Sequence, residues 1–167
     1  TFLLTCKDGE SERKYILQRI NSSIFQDPPA LMENMANVTA FLRKNIAQKG
    51  GNPERETLNV IKTKSGENYH IDSCHSYWRV FLFIDDTVCL EKIENPRDFY
   101  DSGVAFGNFQ RQLAAYPAET LHETIPLFHH TPSRFLAFQK ALKENPLGRA
   151  EMVQAEIDFA LAREDDT

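Results

Sequence analysis

Cysteine, long apolar runs and positive charge are all scarce in this chain of 167 residues. Its three cysteines, Cys6, Cys74 and Cys89, are odd in number and share no spacing, which argues against a disulfide framework. No apolar run approaches the roughly 20 residues needed to cross a bilayer, and no signal-peptide pattern opens the chain, so no membrane partner is expected. A net charge of -5 gives no support to nucleic acid as a partner. Internal repeats and low-complexity segments are also absent. What remains has ordinary charged and apolar fractions, with reduced thiols in a cytoplasmic setting as the expectation.

The ends carry little lead-in or tail. Phe2-Leu-Leu-Thr-Cys6 is strand-like directly after Thr1, and Arg163-Glu-Asp-Asp-Thr167 follows directly on a helical pattern. Both ends read as cut, which suggests a piece of a longer protein.

Two compositional halves follow. Phe2 to Cys6 and Lys14 to Asn21 are apolar runs around the polar Lys7-Asp-Gly-Glu-Ser-Glu-Arg13, the pattern of an antiparallel hairpin. Asp27 suits a helix N-cap and Pro28 the first helical position. Leu31, Met35, Val38, Leu42 and Ile46 then recur at helical spacing until Gly50-Gly51. Leu58 to Thr63 and Asn68 to Asp72 flank Lys64-Ser-Gly-Glu67, a second hairpin signal. Tyr77-Trp-Arg-Val-Phe-Leu-Phe-Ile84 is rich in aromatic and β-branched residues and reads as a strand. Beyond Asp85 the pattern is helical: Asp98 to Tyr116, Thr131 to Asn145 and Gly148 to Arg163. The expectation is an α+β fold, with a β-rich unit over 1–90 and a helical one over 91–167, the boundary falling between Asp85 and Asn95.

The run Tyr15-Ile-Leu-Gln-Arg-Ile-Asn21 carries one cation, Arg19, near the end of a strand that feeds a long helix. Kinase-like phosphotransferases hold phosphate with a cation placed in this way. An exposed Arg in a plain strand-to-helix unit has the same pattern.

Several further constellations have two readings. His70-Ile-Asp72-Ser-Cys74-His75 holds four metal-ligand types, but zinc sites use separated pairs, so a turn between strands is the simpler reading. His129-His130 before Thr131-Pro132 fits a helix start, with a second possibility of facing an acceptor cleft. Asp85-Asp86 suits either a metal or a bend. Phe99, Phe106, Phe109, Phe135 and Phe138 read as interhelix core. Glu123 has no chemical account.

Taken in order, Ile-Leu-Gln-Arg-Ile-Asn, Phe-Gln-Asp-Pro, Leu-Met-Glu-Asn-Met, Tyr-Trp-Arg-Val-Phe-Leu-Phe-Ile, Glu123-Thr-Ile-Pro-Leu-Phe-His129 and Glu156-Ile-Asp-Phe159 resemble the aminoglycoside-phosphotransferase superfamily, in its N-acetylhexosamine 1-kinase-like branch. The resemblance runs along essentially the whole chain. It implies a kinase-like small lobe, an antiparallel sheet with one long helix, followed by the first helices of a large lobe. It implies an ATP-dependent sugar kinase, with ATP and Mg²⁺ as cofactors and a nucleotide and a sugar as partners. Arg19 falls where the family holds nucleotide phosphates, and an Arg there could grip two phosphate oxygens at once. Ile84 and Asp85 fall at the interlobe hinge, where backbone groups would meet adenine. Glu33 is the candidate to brace Arg19. On a helical wheel, however, it stands about 200° from Leu31, and Asn34 lies closer to the apolar stripe.

The departures concern the chemistry. Only Thr1 could remain of the family's glycine-containing loop. The five histidines lack the catalytic-loop pattern, and the family's metal-binding Asp and its partner Asn have no match in residues 1–167. No catalytic or metal residue is therefore expected within the chain, and the chain alone is expected to be inactive. A noncatalytic binding or regulatory module that keeps only the small lobe is the alternative.

Overall fold

Gly9, at φ +62°, lets the chain reverse in two residues between β1 (Phe2–Asp8) and β2 (Ser11–Arg19), and the hairpin pairs from Phe2↔Leu17 to Asp8↔Ser11. The computed structural model describes residues 1–92 and 95–166, and the expected boundary between Asp85 and Asn95 includes two residues outside that set. A second reversal follows β2. Asn21 Oδ1 accepts from the Ser23 N–H at 3.1 Å and from its hydroxyl at 2.7 Å, a side-chain turn that leads toward α1 (Pro28–Gln48). Asp27 caps α1 by accepting from the Ala30 N–H at 3.0 Å, and Pro28 stands where its missing N–H costs nothing. At the other end, Gly50 takes φ +77°, and a Cβ on Gly51 would come within 2.8 Å of Ile46 Cγ2.

Short helix α2 (Pro53–Glu56) is capped by Asn52 and leads into β3 (Val60–Ile61), β4 (His70–Ile71) and β5 (Tyr77–Leu82). The sheet is antiparallel, in the order β1-β2-β5-β3, with β4 also on β5. The hairpin expected between 58 and 72 does not form as a pair of strands. A turn does close within 63–67, where the Thr63 N–H donates to the Glu67 carbonyl at 2.8 Å. The strands on either side of it instead lie in tandem along one edge of β5, with Val60↔Phe81 and His70↔Trp78.

Strand alternation separates the two faces of this sheet. Gln18, Arg79 and Phe81 share one face with Ile16, and α1 covers it: Arg79 Nη1 lies 2.7 Å from Met35 Sδ. Arg19, Trp78, Val80 and Leu17 share the other face. The core lies under α1, where Ile20, Met32, Leu42, Ile46 and Phe81 are buried. The expected stripe is therefore rotated. Leu42 and Ile46 are buried as expected, but Leu31, Met35 and Val38 are half-buried, and Met32 and Thr39 take the deepest line. Thr39 is tolerated there because its hydroxyl donates to the Met35 carbonyl at 2.7 Å.

Helices follow residue 95. α3 (Pro96–Leu113), capped by Asn95, buries none of its side chains, and Phe99, Phe106 and Phe109 stand exposed rather than in an interhelix core. The chain divides into two compact units, Thr1–Thr124 and Ile125–Thr167. In the second, α4 (Thr131–Glu144) begins at His130, whose Nδ1 accepts from the Ser133 N–H at 3.2 Å, and ends at left-handed Asn145. Phe135 and Phe138 there are half-buried, with ring centroids 5.9 Å apart. The continuous helix expected over 148–163 is broken into a 3₁₀ turn (Ala150–Val153) and α5 (Gln154–Leu161). No helix among the described residues is long and apolar enough to cross a membrane.

Candidate functional site

Arg19 ends the second strand of the sheet, opposite Trp78 in register, and is exposed with no partner among the described residues. Alternation turns its side chain away from α1, so the expected brace from the helix does not form. Glu33 Oε2 instead lies 3.0 Å from His122 Nε2. Asn34 grips the backbone of that same histidine twice: its amide donates to the His122 carbonyl at 2.8 Å and accepts from the His122 N–H at 2.9 Å. The physical reason is phase. Arg19 and the side chains that meet α1 are one residue apart along β2, and one residue in a strand reverses the face.

The cation that α1 does meet is Arg79. Its Nε and Nη2 donate to Gln18 Oε1 at 2.9 and 2.7 Å, and its guanidinium stands 5.1 Å from the centre of the Phe81 ring. Burial without a carboxylate lowers the Arg79 pKa from its usual value.

At the far end of β5 the chain bends: Asp86 takes φ +53°, four residues after Leu82. Ile84 is half-buried there and Asp85 exposed. The Asp85 carbonyl already accepts from Arg55 Nη1 at 2.7 Å, and the Asp86 carbonyl from Arg55 Nη2 at 3.1 Å, while the Asp85 carboxylate pairs with Lys14 at 3.2 Å. One guanidinium thus forks across two successive carbonyls and holds the bend. The sequence pattern did not single out Arg55. Its one available signal was Asn52-Pro53, a helix start that aims α2 toward the strand end.

On the open face of the sheet lies a cavity of about 400 Å³. Leu17, Ile61 and Val80 form its apolar floor, Trp78 one wall, and Asn68, Tyr69, His70 and Asp72 come from the β3–β5 connections. Trp78 is fixed by its indole N–H, which donates to Asp72 Oδ2 at 2.7 Å. Asp72 Oδ1 accepts from the Cys74 and Ser76 N–H groups, both at 2.9 Å, and with left-handed His75 this makes a three-residue turn. The Trp78 hydrogen bond, followed by the backbone donors, lowers the Asp72 pKa below the ordinary 3.8. The His70–His75 segment is thus a turn between β4 and β5. No group of three His, Cys, Asp or Glu side chains able to hold a metal occurs among the described residues. Asn68 Oδ1 is buried in the cavity wall without a hydrogen-bond partner, a deficit worth about 1–3 kcal/mol.

No family model matches the chain.

Proposed function

We propose that this chain carries the small lobe and the first large-lobe helices of an ATP-dependent phosphotransferase acting on a sugar hydroxyl, with an N-acetylhexosamine as the acceptor. Arg19 carries this reading: an exposed guanidinium without a partner among the described residues, at the end of a central strand and beside an apolar cavity. Such a group suits phosphate oxygens, which it can engage in pairs. The antiparallel order, with the long helix inserted between β2 and the strands that follow, supports the same reading. Phosphoryl transfer also draws on Mg²⁺ to offset developing charge. Among the described residues no group of three His, Cys, Asp or Glu side chains is placed to hold a metal ion.

The test is calorimetric titration of the chain with ATP, together with phosphotransfer to N-acetylhexosamines by the protein at its full gene-encoded length. Arg19→Ala should lower kcat/KM strongly with folding intact, because transfer depends on positioning and charge neutralisation. Unchanged kinetics would remove Arg19 from the mechanism. A second reading, a noncatalytic binding module, is favoured by one observation: Glu33 is engaged by His122, and Arg19 faces away from α1. Nucleotide binding without turnover by the full-length protein would select it.

A further inference from the structure

We infer that the cavity on the open face of the sheet is a binding site for a small, flat aromatic acid, separate from the bend at Ile84 and Asp85. This site is independent of the nucleotide reading. Strand register builds its floor: Leu17 of β2 and Ile61 of β3 both pair with Val80 of β5, so the three side chains share one face. Trp78 lies two residues earlier on that face, with His70 of β4 opposite it in register. The excursion between β3 and β4 adds Lys62, Thr63, Asn68 and Tyr69 to the wall. Trp78 is near the start of β5, whereas Ile84 and Asp85 lie past its far end.

Size and charge together select the ligand. A volume of about 400 Å³ falls in the range of small-molecule sites, and an aliphatic floor beside an indole wall suits an aromatic ring. Because the indole N–H donates to Asp72 Oδ2 at 2.7 Å, Trp78 offers the ligand a ring whose polar atom is already satisfied. Asp72 is the one carboxylate among the described lining residues, and both its oxygens are engaged: Oδ2 by Trp78, Oδ1 by the Cys74 and Ser76 N–H groups. Lys62, by contrast, is exposed and has no partner among the described residues. The free charge at the rim is therefore cationic, and an acceptor-only carboxylate complements an ammonium group. A carboxylate conjugated to its ring also keeps the whole ligand flat.

Cinnamate and its neutral amide, cinnamamide, are matched probes that share ring and length and differ in charge. Trp78 is the chain's single tryptophan, so a change in its emission reports binding at this cavity, and calorimetry gives the affinity. Cinnamate should bind about tenfold more tightly than cinnamamide. Lys62→Ala should weaken cinnamate by about tenfold and leave cinnamamide within about twofold, a split that a merely structural role for Lys62 does not produce. Ile61→Glu sets a carboxylate at the floor and should abolish binding of both probes, with circular dichroism checking that each variant folds. Excess ATP should leave cinnamate binding unchanged. Any one of four results overturns the inference: no cinnamate signal at millimolar concentration, equal affinity for acid and amide, equal losses of both probes in Lys62→Ala, or displacement of cinnamate by ATP.

Discussion

Each face of the sheet carries an arginine close to Trp78, and the two have opposite fates. Arg79 is drawn under α1, where Gln18, Met35 and the Phe81 ring satisfy it and burial lowers its pKa. Arg19 stands on the other face, exposed and without a partner among the described residues. The difference shows that a cation's role in a sheet follows from parity along the strand before any question of charge. One face is a core that tolerates a cation. The other offers a cation next to a cavity.

The covered face should break first. Met32 is fully buried between α1 and the sheet, so Met32→Ala should cost about 2–5 kcal/mol in chemical denaturation. A loss below 1 kcal/mol would mean that α1 is not seated as described. The two arginines sharpen the contrast. Arg79→Ala should cost about 1–2 kcal/mol by stranding the Gln18 amide, whereas Arg19→Ala should stay within about 0.5 kcal/mol. Equal losses would erase the distinction between the faces.

Acid probes the open face. The Asp72 pKa is lower in the folded chain than in the unfolded one. Its contribution is therefore fully present above the ordinary 3.8 and is lost as pH falls through the depressed folded value. Trp78 emission should shift in that acidic window in wild type, and the shift should be absent in Asp72→Asn. The smallest effect belongs to the exposed pair on α1. Glu33→Gln should change stability by no more than about 0.5 kcal/mol, because solvent screens Glu33 and His122. A double-mutant cycle with His122→Ala measures it.

Local signals in the sequence match local features of the structure. Asp27 and Pro28 announced α1, Asp8-Gly9 the first hairpin, and His129-His130 a helix start, because caps and turns are made by residues close in the chain. Lys64-Ser-Gly-Glu67 did announce a turn. What it could not announce was that the flanking strands would both choose β5 as partner, since pairing depends on residues well removed in sequence. The stripe on α1 is displaced by about one residue, with Met32 and Thr39 buried in place of Leu31 and Val38, because the sheet beneath sets which line of the helix is covered, a demand no helical period contains. Glu33 followed the same rule, for its partner His122 lies 89 residues away. Phe99, Phe106 and Phe109 were apolar at helical spacing, yet spacing alone does not supply a neighbour to cover them. Of the candidate site, Arg19 and the bend after Ile84 were visible in the chain; the cavity was not, because it is assembled from Leu17, Ile61, Asn68 and Val80.

The tandem placement of β3 and β4 has a consequence for how this surface can diversify. Both strands are anchored to β5 by their own ladders, so residues 62–69 form an excursion that neither strand needs for its pairing. The turn within it is self-contained: Thr63 and Glu67 close it, and Thr63 Oγ1 accepts from the Glu67 N–H at 3.0 Å. Lys62, Thr63, Asn68 and Tyr69 are the part of the cavity wall that this excursion supplies. Lengthening or rewriting it would reshape the rim at a small entropic cost, roughly 0.6 kcal/mol per doubling of loop length, while the ladders keep their register. The shape of this surface can therefore drift independently of foldedness.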